Sequence, residues 1–324
     1  MNGTKLMQKN SRVKTETSRD LRQAIFHTLA FFGMYGLPLR KRRIYELLYK
    51  FKADESDVYK ELEALASEGK LVKDGERFGL KQWDRNLLHT NREEIAKRWK
   101  KIDKYFWIFS LLPFTEYVAV INSLAIGNAG EESDIDFFVI TKPDRLYFVR
   151  SIIIIIFRLL GIYKTRVNVK ERFSFGYYIT TNHLNLEKMT LDDDPYLAFW
   201  FASHAPILGL HAYKEFVKAN TWIYSYFPNY DLRFRERYFR KQPKPAQYMK
   251  KISEFLLWVP VQIFEPLIRY VHVRHTFNLP ENHWETSSTI AEKDILKLHA
   301  IDNRKELRER FYKELSEYKN KETA

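Results

Sequence analysis

Two carboxylates one residue apart are the feature of this sequence that could do chemistry. Asp134 and Asp136 stand in a run whose alternating apolar residues, Ile135, Phe137 and Val139, predict a buried β-strand. Side chains two residues apart in a strand point to the same side, so both carboxylates are expected on one face. Burying two neighbouring anions without a cation is costly. Because Mg²⁺ prefers oxygen ligands, the pair predicts a magnesium site and phosphoryl or nucleotidyl chemistry.

The segment before the carboxylates strengthens this interpretation. Residues 117–121 predict a first strand, Asn122-Ser123 a turn, and residues 124–126 the start of a short helix. A hydroxyl and backbone N–H groups at the start of a helix can bind phosphate. The chain then returns through a loop ending in Ser133. The alternative for Asp-x-Asp alone is a strand that frays into a loop, where both carboxylates are solvated.

This pattern resembles the nucleotidyltransferase superfamily typified by DNA polymerase beta. The signature of that family is an apolar residue, Gly, Gly or Ser, a spacer, and then Asp-apolar-Asp/Glu-apolar. Ser123 matches the phosphate-binding Ser, and Asp134 and Asp136 match the metal-binding carboxylates. Asn122 stands where the family has Gly. The resemblance implies that Asn122, Ser123 and Ser133 bind the nucleotide phosphates.

The resemblance also implies a third carboxylate on the following strand, predicted over residues 173–180. The body of that strand contains none, and Glu171 at its beginning is the local candidate. The predicted catalytic and metal-binding residues are therefore Asp134, Asp136 and Glu171. The alternative for Glu171 is a surface charge paired with Lys170 or Arg172. The implied cofactor is Mg²⁺ in a two-metal site, and the implied substrate is a nucleoside triphosphate (NTP).

The first part of the chain resembles a winged-helix domain. Helices are predicted over residues 19–32, over residues 40–49 and from residue 53, followed by a hairpin turning at Asp74-Gly75. In DNA-binding members the third helix enters the major groove. Here that helix is acidic, and the basic residues lie at Arg40–Arg43 and near Arg77. The basic N-terminal region is thus expected to bind nucleic acid or protein, and the choice stays open.

Composition sets limits on the class of protein. The 324 residues contain no Cys, which excludes disulfides and thiolate chemistry. Residues 1–110 hold 24 Lys and Arg against 15 Asp and Glu, whereas residues 111–200 hold 9 against 11. The N-terminus lacks an apolar signal segment, and the longest apolar run is too short to span a bilayer. A cytoplasmic protein without membrane contact is expected, and an oligomer is compatible with the sequence.

The expected fold is α+β, with a small mixed β-sheet nucleotidyltransferase core flanked by helices. The predicted organisation, in chain order, is a flexible N-terminus (1–18), a winged-helix-like domain (19–82), a helical connector (83–112), the nucleotidyltransferase core (113–190) and a helical C-terminal region (191–324). Asp144 is expected to cap a helix ending at Leu160. The C-terminal helices are predicted over residues 195–203, 213–226 and 249–273. The last of these is apolar almost all round and is expected to be buried, with a membrane contact or a dimer interface as the alternative.

Two functions follow from these patterns. The first is a metal-dependent nucleotidyltransferase that transfers a nucleoside monophosphate from an NTP to an unidentified acceptor hydroxyl. The second is a catalytically weak protein of the same fold that acts as a regulatory or nucleic-acid- or protein-binding module. Ser123 and the two carboxylates favour the first, and Asn122 and the missing third carboxylate favour the second. Neither the acceptor nor the nucleobase is indicated.

Overall fold

A computed structural model describes residues 19–191, 195–279, 287–298 and 303–322. It is a mixed α+β structure with two β-sheets, which confirms the expected fold class at this coarse level. The N-terminus predicted to be flexible, residues 1–18, lies outside the described residues. No described helix has both the length and the apolar character needed to cross a membrane.

The N-terminal region combines helices with a small antiparallel sheet. Its elements are α1 (19–33), β1 (Leu39–Arg40), α2 (Lys41–Glu46), α3 (Glu55–Ser67), β2 (Val72–Asp74) and β3 (Arg77–Gly79). The strand order is β1-β3-β2. Gly75, with a φ of 58°, makes the turn between β2 and β3, a conformation that costs little without a Cβ atom. The predicted helices and hairpin are present, and the winged-helix assignment stays a prediction.

The connector is one long helix, α4 (Arg85–Leu111). Asp84 is its N-cap, because its carboxylate accepts hydrogen bonds from the N–H groups of Asn86 and Leu87 at 2.8 and 3.2 Å. The helix ends before Pro113, whose ring disfavours the helical conformation in the residue before it. The prediction of a helix between the N-terminal region and the core is confirmed.

The second sheet carries Asp136, and Asp134 lies two residues earlier, directly before the same strand. Its strands are β4 (Thr115–Val120), β5 (Ile135–Thr141), β6 (Phe173–Thr180), β7 (Ala205–Leu208), β8 (Ile290–Ala291) and β9 (Ile295–Lys297), in the order β7-β4-β5-β6-β9-β8. The short helix α5 (Asn122–Ile126) joins β4 to its antiparallel neighbour β5. Helix α6 (Leu146–Leu159) is the crossover that lets β6 run parallel to β5.

The C-terminal region expected to be helical contains helices, but the strands β7, β8 and β9 also come from it. These strands have two to four residues each, too few to show a periodic pattern in the sequence. They form because they pair with the backbone groups of β4 and β6. The helices of this region are a short 3₁₀ turn (Glu187–Met189), α7 (Pro195–Ser203), α8 (Leu210–Ala219), α9 (Ile223–Tyr226), α10 (Arg233–Glu236), α11 (Lys244–Phe277) and α12 (Arg304–Glu322).

Two predicted helix boundaries are also wrong. Asp144 does not cap α6: it has a φ of 55°, its carboxylate pairs with Lys293 at 2.9 Å, and the N-cap is Arg145. The helix predicted over 213–226 breaks into α8 and α9 at Asn220. The buried Asn220 side chain binds the backbone N–H of Leu186 and the carbonyl of Leu184 at 2.7 and 2.6 Å. Such side-chain bonds to the backbone compete with helix continuation.

The sheet separates two hydrophobic cores. Along β5, Phe138 and Ile140 enter the first core, whereas Ile135, Phe137 and Val139 enter the second. The first core also contains buried residues of α1, α2, α3, α7 and α12, so the N-terminal helices pack with C-terminal ones. The second contains residues of α4, α6 and α11. By the alternation of a strand, Asp136 lies on the side of the first core.

The long helix α11 is not buried as predicted. It continues through Pro260 and Pro266. Its residues Val261 and Glu265 are buried, but most of its large apolar side chains are exposed, including Phe255 at 82% and Leu256 at 66%. Apolar composition alone could not reveal this, because it does not tell which elements have a partner to pack against.

Candidate functional site

The candidate site is built by the unit β4–α5–β5. The chain leaves β4 at Ile121, whose N–H donates to the carbonyl of Asp136 at 3.0 Å. Helix α5 then spans five residues and ends at Gly127, which has a φ of 88°. The N–H of Asn128 bonds back to the carbonyl of Ser123 at 2.7 Å. This closed turn places Asn122 and Ser123 next to the beginning of β5.

Asn122 has a backbone conformation that glycine adopts more readily than any residue with a side chain. Its φ is 56°, in the left-handed region that Asn adopts more readily than most residues with a side chain. Its Nδ2 donates a hydrogen bond to Oδ2 of Asp136 at 2.9 Å. Asn122 therefore makes the turn and also donates a hydrogen bond to one of the carboxylates.

The two carboxylates lie in different electrostatic surroundings. Burial, followed by the negative charge of Asp134, raises the pKa of Asp136 to about 6, although the hydrogen bond from Asn122 opposes the shift. Nζ of Lys164 lies 2.6 Å from Oδ2 of Asp134. Burial by itself would lower the pKa of Lys164, but the hydrogen bond to Asp134 and the charges of both carboxylates raise it. Lys164 thus supplies one positive charge to the site.

Sequence reasoning missed Lys164. It lies 28 residues after Asp136, beyond α6, where no periodic pattern marks it. The structure brings it to the site because Tyr163 forms a bridge with Phe173 and the N–H of Lys164 donates to the carbonyl of Phe173 at 2.9 Å. No short-range signal could have found it.

Arg98 is a second residue that sequence reasoning missed. It is fully buried, its Nη2 donates to the carbonyls of Glu131 and Ser133 at 2.7 and 2.8 Å, and its Nη1 pairs with Glu94 at 2.8 Å. Ser133 Oγ accepts a hydrogen bond from the N–H of Gly130 at 3.0 Å. Arg98 and Ser133 therefore shape the loop that precedes Asp134.

The structure does not bring Glu171 together with the aspartates. Its carboxylate lies 3.9 Å from Nζ of Lys101, and its N–H donates to the carbonyl of Ser133. Across the described ranges, no three His, Cys, Asp or Glu residues form a group that could hold a metal. The residue of β6 directly beside Asp136 in the sheet is Ser174. The position next to the carboxylate pair therefore carries a hydroxyl.

The donor set fits one magnesium ion. Asp134, Asp136 and the hydroxyl of Ser123 are oxygen ligands, and Mg²⁺ in nucleotide sites is commonly bound by one or two carboxylates, water and substrate phosphates. The pKa of Asp136 is raised first by burial and second by repulsion from the charge of Asp134. A cation bound there would relieve this repulsion.

An aromatic pocket of about 200 Å³ adjoins the turn. It is lined by Asn122 and Ser123 on one side and by aromatic rings of α1 and α7 on the other, namely Phe31, Tyr196 and Trp200. Aromatic faces of this kind can stack on a planar ring.

The chain was compared with models of protein families, with curated proteins and with solved structures, and no match was found.

Proposed function

We propose that this protein is a metal-dependent nucleotidyltransferase, which transfers a nucleoside monophosphate from an NTP to a hydroxyl group of an acceptor. The acceptor oxygen bonds to the α-phosphorus, the bond from the α-phosphorus to the bridging oxygen breaks, pyrophosphate leaves and the hydroxyl proton passes to solvent. The proposal is carried by one hydrogen bond, which Nδ2 of Asn122 donates to Oδ2 of Asp136. This bond joins the Asn122-Ser123 turn to the carboxylate pair at the beginning of β5. Oxygen ligands for a cation and a hydroxyl for phosphate are then neighbours. This pairing is what nucleotidyl transfer requires.

Each residue has a role in this proposal. Asp134 and Asp136 would hold Mg²⁺, which supplies charge stabilisation at the phosphates and activation of the acceptor hydroxyl. Ser123 binds a phosphate oxygen, and Asn122 orients Asp136. Arg98 fixes the loop before Asp134, so that the carboxylate is already placed when the substrate arrives. The aromatic pocket receives the nucleobase. A second Mg²⁺ would depend on the phosphates of the NTP, since two carboxylates are present.

The second candidate is a binding or regulatory protein with little catalytic activity. The observation in its favour is the ion pair of Lys164 with Asp134 at 2.6 Å, since Lys164 supplies the charge that a metal would supply. Ser174, which lies beside Asp136 where a third carboxylate would complete the site, also favours this candidate. In this case the fold would bind a nucleotide or another partner without transferring a nucleoside monophosphate.

The two candidates differ in their need for Mg²⁺. Binding of each NTP is measured by calorimetry with Mg²⁺ and with EDTA, for the wild type, Asp136→Asn and Glu132→Gln. Glu132 is the control because it lies in the same loop and is 83% exposed. We expect Mg²⁺-dependent binding that Asp136→Asn abolishes and Glu132→Gln retains. Equal binding with EDTA, or none at all, would contradict the enzyme and leave the second candidate.

Transfer itself is tested with α-labelled NTP and a cell extract as the source of acceptor. Asp136→Asn is expected to lower transfer by more than about 100-fold, because a metal ligand contributes several kcal/mol to stabilising the transition state. Transfer that is unaffected by this variant would place the activity elsewhere.

A further inference from the structure

A second cavity, of about 300 Å³, also borders α5 and is rich in arginine. It meets α5 at Leu124, Ala125 and Ile126, and its other walls come from β1, α2, β3, α4 and the α10 segment. It is lined by six arginines, which define what we call the arginine cavity: Arg40, Arg43, Arg77, Arg92, Arg235 and Arg237. None of the described residues that line it is Asp or Glu.

Most of these arginines have no acidic partner. Arg43 pairs with Glu46 at 3.2 Å. Throughout the described part of the chain, no carboxylate lies within 4.0 Å of the other five guanidinium groups. Arg235 is 1% exposed, and although its Nε donates to the carbonyl of Ala202 at 2.9 Å, its Nη2 has no hydrogen-bond partner. Burying an unpaired cation in this way is costly unless an anion joins it.

The guanidinium groups also act on one another. Burial, and after it the positive charges of Arg92 and Arg40, lowers the pKa of Arg77. Like charges so close together are unfavourable in the free protein and become favourable when a polyanion lies between them. Guanidinium groups match phosphate well, because their planar donors bind two oxygens at once.

We propose that the arginine cavity binds a phosphorylated ligand through two or more phosphate groups. The phosphates belong either to a nucleotide-like polyphosphate or to successive units of a nucleic-acid strand. The ring pair of Trp99 and Tyr238, stacked with centroids 5.5 Å apart, lines the same cavity and offers an apolar surface beside the charges. The inference does not rest on the proposed function, since no member of the carboxylate pair takes part.

The test measures binding of inorganic tripolyphosphate and of a short labelled single-stranded RNA to the full chain in Mg²⁺-free buffer. Arg40→Gln/Arg92→Gln removes two exposed arginines of the cavity, which spares the buried ones. The control, Arg85→Gln/Arg158→Gln, removes the same charge from exposed arginines elsewhere. We expect binding at least about tenfold weaker for the cavity variant and a change of less than about twofold for the control.

Each outcome either tests the proposal or identifies the source of the phosphates. Binding of tripolyphosphate without RNA identifies the nucleotide-like source, and binding of RNA in preference identifies the strand. Equal losses in both double variants would show attraction by net charge alone, and this result, or no binding of either probe, overturns the proposal. Binding of tripolyphosphate or RNA that appears only when Mg²⁺ is added would assign the phosphates to the carboxylate site and overturn the proposal.

The exposed apolar face of α11 carries a separate inference. This face runs along Ile252, Leu256, Val259, Ile263, Leu267 and Tyr270, each more than half exposed. Their spacing of three and four residues places them along one side of the helix. A single soluble chain rarely exposes a continuous apolar surface of this length, because it favours association.

The charges of α11 indicate what covers this face. Its carboxylates turn inward: Glu254 accepts from the N–H of Phe114 at 2.8 Å, and Glu265 accepts from the N–H of Tyr147 at 2.8 Å. The exposed ionisable residues of α11 in the described structure are all basic, namely Lys244, Lys251, Arg274 and His275. A second copy would place basic residues against basic residues. An anionic lipid surface would instead complement them.

We infer that the apolar face of α11 binds the surface of an anionic membrane, with the helix lying in the plane of the headgroups. Tyr248 and Tyr270 of α11 suit this depth, where one end of a ring is apolar and the other is hydrated. Helix α11 packs on the second core, whereas Asp136 lies on the side of the first core. The carboxylate site is therefore on the side of the sheet that faces away from the membrane.

The test is sedimentation of the full chain with vesicles of phosphatidylcholine alone and of phosphatidylcholine mixed with phosphatidylglycerol. The variant Leu256→Gln/Ile263→Gln is compared with Leu87→Gln/Val167→Gln, which changes exposed apolar residues outside α11. We expect binding to the mixed vesicles, at least about tenfold weaker for the α11 variant and unchanged for the control. Absence of binding, or equal binding of both variants, overturns the inference. A dimer that the α11 variant dissociates, without vesicle binding, would assign the face to a second copy.

Discussion

The carboxylate site and the arginine cavity both border α5, but they differ in charge and in construction. The first is assembled from residues 122–136, close together in the sequence, and from Lys164. The second joins residues 40–92 to residues 235–237, which meet only in the folded chain. The carboxylate pair has Lys164 and the amide of Asn122 as compensating groups. Within the described part of the chain, the arginines of the cavity have one carboxylate partner, Glu46, which pairs with Arg43.

The arginine cavity needs a ligand of opposite charge more than the carboxylate site does. A folded protein tolerates a buried charge when another group compensates it. In the carboxylate site Lys164 and the amide of Asn122 offset only part of the cost of burial, because burial and the charge of Asp134 still raise the pKa of Asp136. Charge compensation is smaller in the arginine cavity, because Nη2 of the buried Arg235 has no hydrogen-bond partner. The contrast can be tested by removing or adding single charges on either side of α5.

Glu46→Gln should have the largest effect on stability. Glu46 is buried and lies between Arg42 and Arg43, at 3.3 and 3.2 Å. Breaking this buried pair is expected to cost about 3 to 4 kcal/mol, since the cavity would lose its acidic partner. The free energy of unfolding is measured with urea. Glu63→Gln is the control, because its pair with Lys73 is exposed and should cost less than about 1 kcal/mol. Equal costs would show that the arginines do not depend on Glu46.

Stability should also depend on pH through Asp136. Its pKa is raised from 3.8 to about 6 in the folded chain, so the folded state keeps this proton to higher pH than the unfolded state. The stabilising contribution is complete below about pH 4 and is lost as the pH rises towards 6, by about 2 to 3 kcal/mol. Urea unfolding in EDTA, with Asp136→Asn as reference, isolates this contribution. A difference between the two proteins that stays constant from pH 4 to 6 would contradict it.

The turn before the carboxylates can be tested at Asn122. Ala and Gly both remove the hydrogen bond to Asp136, but only Gly adopts the φ of 56° without strain. Asn122→Ala is therefore expected to be less stable than Asn122→Gly by about 1.5 kcal/mol. Thermal unfolding of the two variants measures this difference directly. Equal stability would mean that the turn is not held in the left-handed conformation.

Ser174→Asp should give the smallest effect. The new carboxylate would lie beside Asp136 in the parallel pair β5–β6 and complete a set of three. We expect about tenfold tighter binding of Mg²⁺, because affinity rises with the number of charged ligands. Ser67→Asp on the exposed side of α3 adds the same charge and serves as the control. If both variants bind Mg²⁺ alike, position 174 does not contribute to the site.

The spacing of residues predicted the elements around the carboxylates well. The strand over 173–180 and the helix of residues 195–203 were predicted with their observed bounds, because each is an aromatic-rich apolar run with polar or charged residues on both sides. The turn at Asn122 and Ser123 followed from local residue types. The predictions that depended on residues or elements far away in the sequence were wrong. The predicted cap at Asp144 is wrong, because Lys293 pairs with its carboxylate. The predicted burial of α11 is wrong, because no described element covers its apolar face.

The sequence alone predicts strands β4 and β5, the turn at Asn122 and Ser123 between them, and the closeness of Asp134 to Asp136. These properties depend on contacts within about fifteen residues, which local conformation controls. Only the tertiary structure decided that Lys164 reaches Asp134, that Glu171 does not join the carboxylate pair, and that Arg92 and Arg235 share a cavity with Arg40. Those contacts depend on how sheets and helices pack, and packing is set by the whole set of buried surfaces rather than by any one segment.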